Sequence, residues 1–97
     1  MTIEKKLDNG TLTLRVVGRL DTNTAPQLQD EVRYDGVTKL VFDFSALDYL
    51  SSAGLRILLM AQKTMSASGG AMEILSPNAT VRSVFDMTGC SDIFTIL

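Results

Sequence analysis

Apolar and polar residues change their period several times along the chain. The stretch TLTLRV, residues 11–16, alternates strictly: Leu12, Leu14 and Val16 fall on one side, Thr11, Thr13 and Arg15 on the other. Successive side chains of a strand point to opposite faces, so this is the pattern of a half-buried strand. The Asp8-Asn9-Gly10 triplet before it is a tight-turn signal, because Asn-Gly accepts positive φ at both central positions of a hairpin. IEKKL, residues 3–7, alternates weakly and supplies the other arm. KLVFDFS, residues 39–45, is rich in β-branched and aromatic residues, with Leu40, Phe42 and Phe44 on one face and Val41 and Asp43 on the other. It predicts a central strand from Lys39 to Phe44. AMEIL (71–75) and DIFTIL (92–97) predict the remaining strands.

Between the strands the period becomes helical. Asn23 or Thr24 is placed to cap a first helix, with Pro26 in its first turn and Ala25, Leu28 and Val32 on its apolar side. A turn at 35–38 leads back to the sheet. A second helix runs from Ser52 to about Ser68, with Leu55, Leu58, Leu59 and Gln62 on one face, and Gly69-Gly70 ends it. A third, short helix has Ser76 as cap, Pro77 at its first position, Val81, Val84 and Phe85 on its apolar face, and Gly89 after its end. The order β-β-α-β-α-β-α-β predicts an α/β domain: a mixed sheet with an N-terminal hairpin, its helices packed mainly on one face. Ninety-seven residues are expected to form one domain, residues 1–97, around a modest core.

Composition narrows the chemistry. The net charge is −2, and the nine Lys and Arg are scattered with only Lys5-Lys6 adjacent, so no basic stripe serves nucleic acid. The chain has no histidine, which removes Ser-His-Asp and Cys-His catalysis and the usual transition-metal ligands. Cys90 is the only cysteine, so neither an intramolecular disulfide nor a cysteine zinc site is available, and it reads as a small apolar filler. The N-terminus lacks the apolar core of a signal peptide, and the longest apolar stretch, Ile57 to Ala61, is far short of a membrane span. A cytoplasmic monomer without metal or cofactor is the expectation.

Sites in α/β sheets form at the carboxyl ends of strands, where helix N-termini present free N–H groups. Two loops qualify: Gly18 to Asn23, and Asp48 to Gly54. If the strands that feed them are neighbours, the loops lie side by side. Within LDYLSSAGLRILLMA (47–61), the two serines admit several roles. As nucleophile, either lacks a lysine nearby in sequence and the glycine-flanked G-x-S-x-G elbow. As part of a phosphate cradle, they have one glycine beside them and Arg56 on the helix, short of a glycine-rich loop. Ser51 or Ser52 could simply cap the helix, with Ala53 and Gly54 allowing close packing. Or a hydroxyl is itself the substrate of phosphorylation, which adds about −1.5 to −2 charges next to free N–H groups and leaves the helix folded. Arg56, Met60 and Lys63 share a stripe with the serine: a solvated face, or an adaptable binding surface that uses Met60. Asp21 serves a turn or cap, or belongs to the same surface.

With GRLDTNTAPQL after the second strand and LDYLSSAGLRILL after the third, the chain resembles a STAS domain, and more narrowly the single-domain bacterial anti-sigma factor antagonists. The resemblance spans essentially the whole chain. It implies a protein that is not an enzyme and that binds an anti-sigma factor of the GHKL serine kinase type, releasing the sigma factor. The kinase phosphorylates one serine of the antagonist and ends the interaction, and a PP2C-type phosphatase restores it. In the family pattern the modified serine stands two before the helix glycine, which is Ser52 counted from Gly54. Asp21 matches the family's aspartate of the first loop. Ser51 stands where many members carry Asp, and Ala53 where many carry a second Ser or Thr. The implied partner surface comprises Asp21, Thr22, Asn23, Ser51, Ser52, Ala53, Gly54, Arg56 and Met60. Two other functions remain open on sequence alone: a STAS scaffold or regulatory subunit of a lipid-transport or stressosome-like complex without a phospho-switch, and a small nucleotide-binding protein.

Overall fold

The computed structural model describes all 97 residues. Strands β1 (Thr2–Asp8) and β2 (Thr11–Leu20) form the expected antiparallel hairpin, turned by Asn9 and Gly10 at φ 50° and 81°. β2 pairs in parallel with β3 (Lys39–Asp43), β3 with β5 (Ala71–Leu75), and β5 with the short β6 (Thr95–Ile96). The order across the sheet is β1-β2-β3-β5-β6, so the apolar strand at 39–43 is central, as its composition required. The helices are α1 (Ala25–Glu31), α2 (Ser52–Ala67) and α3 (Ala79–Thr88).

One face of the sheet carries Leu12, Leu14, Val16, Leu40, Phe42, Phe44, Met72 and Ile74, all in a core cluster of 24 buried residues shared with the helices. The alternate positions Thr11, Thr13, Arg15, Lys39, Asp43 and Glu73 form the other face and are only half-buried. That face is tied by ion pairs between Lys39 and Glu73 (3.2 Å) and between Arg15 and Glu4. Val41 lies there too. It is 6% exposed yet stands outside the core cluster, between its register partners Thr13 and Glu73. The helices therefore share one face, as expected.

Four local expectations are corrected. A further strand, β4 (Leu47–Leu50), pairs in parallel with the last residues of β2, Gly18 to Leu20. Its burial runs Leu47 in, Asp48 and Tyr49 out, Leu50 in, which is not a strand alternation, so the segment reads as loop from sequence. The third helix is capped by Asn78, not Ser76. The Asn78 side chain accepts the Val81 N–H at 2.8 Å and donates to the Leu47 carbonyl at 3.1 Å. Ser76 instead sits at φ 53° with its N–H on the Leu97 carbonyl (2.8 Å), so it belongs to the sheet end and Pro77 precedes the helix. The final strand is two residues long because Cys90–Asp92 first make a 3₁₀ turn that sets Phe94 edge-on to Phe85, centroids 5.4 Å apart. The apolar face of α2 is also wider than the sequence stripe. Ile57, Ala61 and Met65 are buried with Leu55 and Leu58, while Leu59 and Gln62 are intermediate, because α2 packs on both the sheet and α1. No helix is long and apolar enough to cross a membrane.

Phe42 is fully buried at the centre of the middle strand. Phe42→Ala is expected to cost about 3–5 kcal/mol, a large part of the stability of a small domain, measured by urea unfolding.

Candidate functional site

β2 and β4 run in parallel and end together, with Leu20 opposite Leu50. The next residue of each chain segment completes the join: the Ser51 N–H donates to the Leu20 carbonyl at 2.9 Å. The loop into α1 and the first turn of α2 thus leave adjacent strand ends. The two loops do lie side by side, through a strand that the sequence pattern did not reveal.

In the first loop Asp21 organises the turn. Its carboxylate accepts the N–H groups of Asn23 (3.0 Å) and Thr24 (3.1 Å), and its carbonyl accepts the Ala25 N–H (2.8 Å) that opens α1. Thr24 occupies the N-cap position, but its hydroxyl points back, accepting the Asp21 N–H and donating to the Arg19 carbonyl, each at 2.8 Å. Neither Asn23 nor Thr24 therefore caps the helix with its side chain as the sequence suggested; Asp21 satisfies the first turn instead. The Thr24 N–H is the main reason the Asp21 carboxyl is held below the ordinary aspartate value, with Asn23 and Arg19 adding to it against partial desolvation. Thr22 and Asn23 are exposed at the tip.

Two residues that sequence reasoning missed buttress this loop. The Arg19 guanidinium stacks over the Tyr49 ring, 4.2 Å from its centroid, across the β2–β4 pair. The Arg19 Nε also lies 3.9 Å from Asp21 Oδ2. No periodicity signals this contact, because it depends on β4.

In the second loop Ser51 is the cap. Its backbone is extended (φ −93°, ψ 172°) and its hydroxyl accepts the Gly54 N–H at 3.4 Å. Ser52 is the first residue of α2, exposed, and its hydroxyl makes no hydrogen bond within the chain. The division of labour left open by the sequence is now set: Ser51 caps, Ser52 is free. Ala53 packs against the core and Gly54 is buried in it. A Cβ on Gly54 would stand 2.6 Å from Leu20 Cγ and 2.8 Å from Leu50 Cδ1, the two residues that end the paired strands. Arg56 and Met60 follow on the exposed side, Met60 at 51%. Met60 also lines a hollow of about 260 Å³ between α1 and α2, with Gln29, Val32, Tyr34, Ile57 and Thr64. Burial raises the Tyr34 phenol above its ordinary value, against a hydrogen bond with Thr64.

What this arrangement offers is a presented surface. A nucleophile needs a base within hydrogen-bond reach, and neither serine hydroxyl has one. No three metal-ligating side chains converge anywhere in the fold.

The chain is similar in sequence and in shape to proteins named as anti-sigma factor antagonists. Residues 2–97 match the STAS domain family. BtrV of Bordetella bronchiseptica, named as a candidate anti-sigma factor antagonist, is 33% identical over 94 residues, covering 94% of this chain and 80% of BtrV. The anti-sigma factor antagonist SpoIIAA in its unphosphorylated form superposes with a TM-score of 0.86 at 23% identity, over 99% of this chain and 88% of SpoIIAA. Bacillus SpoIIAA in the phosphorylated form superposes at 0.79 and 22% identity, over 99% of this chain and 91% of that one.

Leu20 and Leu50 are almost wholly buried and have nowhere to withdraw. Gly54→Val is therefore expected to destabilise by about 1–3 kcal/mol through overpacking, measured as a lowered midpoint in chemical unfolding. A second expectation concerns acid. A carboxyl whose folded pKa is depressed contributes stability that is complete above the unfolded aspartate value, near 4, and is lost as pH falls through the lower folded value. Asp21→Asn keeps an acceptor oxygen but removes that titration. The variant should show a shallower loss of stability on acidification than the parent, followed by thermal unfolding across pH.

Proposed function

The chain belongs to the STAS domain family, and on that basis we propose that it is a cytoplasmic anti-sigma factor antagonist acting as a single domain, residues 1–97. In this reading its unphosphorylated form binds an anti-sigma factor of the GHKL serine kinase type and releases the sigma factor. The kinase ends the interaction by phosphorylating Ser52, and a PP2C-type phosphatase reverses it. The protein is a binding module and the substrate of the kinase, not an enzyme. The names of BtrV and SpoIIAA support the antagonist role, and SpoIIAA has been solved both with and without phosphate.

The observation that carries the reading is the state of Ser52. It is the one serine hydroxyl at the paired loop ends that is both exposed and unengaged, and it stands on the first turn of α2, whereas the Ser51 hydroxyl is held on the Gly54 N–H. The surface around it comprises Asp21, Thr22 and Asn23 from the first loop, then Ser51, Ala53, Gly54, Arg56 and Met60. Asp21 acts mainly by fixing the shape of its loop, since its carboxylate is already committed to Asn23 and Thr24.

Energetics favour a switch of this kind. In the free protein the start of α2 tolerates a phosphate, which the helix dipole and free N–H groups favour by about 0.3–1 kcal/mol. In a complex the same group is desolvated, and like-charge juxtaposition across an interface costs several kcal/mol. About 2.7 kcal/mol already means a hundredfold loss of affinity, so the interface penalty dominates. Arg56, one turn along α2, partly offsets the added charge. Ser52→Ala is expected to bind the kinase partner constitutively. Ser52→Asp and the phosphorylated protein should bind at least about a hundredfold more weakly. Calorimetric titration with phosphosite mapping after kinase treatment checks both; phosphate on Ser51 alone would defeat the assignment to Ser52, and equal affinity for all forms would point instead to a STAS scaffold without a phospho-switch.

A further inference from the structure

Three strands bond to one neighbour each: β1, β4 and β6. β6 is two residues long and β4 four, whereas β1 is seven residues long and bonds only to β2. Its alternate N–H and C=O groups on the far side have no partner strand. Leu7 on this strand is 64% exposed, and it lines a hollow of about 180 Å³ with Lys5, Leu12, Arg33, Asp35 and Val37. Charged residues on an edge strand usually repel other strands. The order of charges here has a different consequence.

We propose that β1 pairs antiparallel with β1 of a second copy, about a two-fold axis through Lys5, extending the sheet across a symmetric dimer. Residues directly opposite in an antiparallel ladder are both hydrogen-bonded or both not, so they share parity along identical strands. Three central registers satisfy this. Centring on Glu4 sets Glu4 against Glu4 of the other copy, and centring on Lys6 sets Lys6 against Lys6. Centring on Lys5 sets Glu4 against Lys6 twice and Ile3 against Leu7 twice. This register alone matches charge with opposite charge and apolar with apolar.

The neighbours fit the same register. Lys6 has no ion pair within the chain, while Glu4 uses one carboxylate oxygen on Arg15 and keeps the other. Lys5, the only residue set against a like charge, is already paired with Glu31 at 3.0 Å. Ile3 and Leu7 stand opposite Val16 and Leu12 of β2, on the side covered by helices. A two-fold axis normal to the sheet keeps that side common to both copies, so the second copy's Ile3 covers the exposed Leu7. One strand pair is smaller than a standard stable interface, so the dimer is weak and in equilibrium with the monomer.

Sedimentation equilibrium over a wide concentration series tests this on the full chain. The native protein should rise towards twice the monomer mass. Lys6→Glu and Glu4→Lys each set like charges together at both pairs and should weaken self-association about tenfold; the Lys6→Glu midpoint should stay close to the parent because Lys6 is exposed and has no ion pair, while the Glu4→Lys midpoint should fall because Lys then stands opposite Arg15. An equimolar mixture of the two variants restores both charge pairs and should associate as the native chain does. A native chain that stays monomeric throughout overturns the proposal. So does native self-association that neither variant weakens, or a mixture that associates no better than its components.

Discussion

The hydrogen bond from the Ser51 N–H to the Leu20 carbonyl fixes the end of this molecule at which the two loops meet. It exists because β2 is ten residues long while its parallel neighbour β3 is five. The first half of β2 is satisfied by β3, and the second half would present unpaired backbone to solvent. β4 takes that place, with a change of register at Gly18, where φ is 103°. The chain leaving β4 then enters α2 within one residue. The start of α2 is positioned by a strand ladder, and its buried Gly54 lets it sit directly on Leu20 and Leu50.

The two loops reach their conformations by different means. The first is held by local chemistry: Asp21 and Thr24 bond reciprocally, as Asx and Ser/Thr turns do, and the Arg19–Tyr49 stack steadies the loop from the sheet. The second is held by packing, with Ser51 spent on the cap and Ala53 and Gly54 committed to the core. Between them they leave few side chains at liberty. Ser52, Arg56 and Met60 are exposed on a helix whose opposite side is wholly apolar, so that surface can change its charge without disturbing the fold.

The rest of the sheet divides its labour by face and by edge. One face builds the core with α1, α2 and α3, and the other is a charge-paired surface in which Val41 is the one buried residue of β3 outside the core cluster. The β1 edge carries its charges in an order that is complementary to itself under two-fold rotation.

The sequence by itself determined the hairpin, the central strand, three helices and their common face, because each carries its own period over enough residues to register. It also pointed to Asp21 and Ser52, through turn chemistry, helix position and family resemblance. Other features were decided only in three dimensions. β4 is four residues without alternation, and its partner lies about thirty residues away, on the far half of β2. The cap of α3 moved from Ser76 to Asn78 because the Leu97 carbonyl claims the Ser76 N–H, and Asn78 reaches the Leu47 carbonyl, thirty-one residues away in sequence. The choice between Ser51 and Ser52 as cap also rested on tertiary contact: local propensity suits either, and the bond to Leu20 anchors Ser51 at the strand end and leaves Ser52 exposed. Local patterns record what a residue does with its near neighbours along the chain, whereas backbone groups are satisfied by whatever the fold brings beside them.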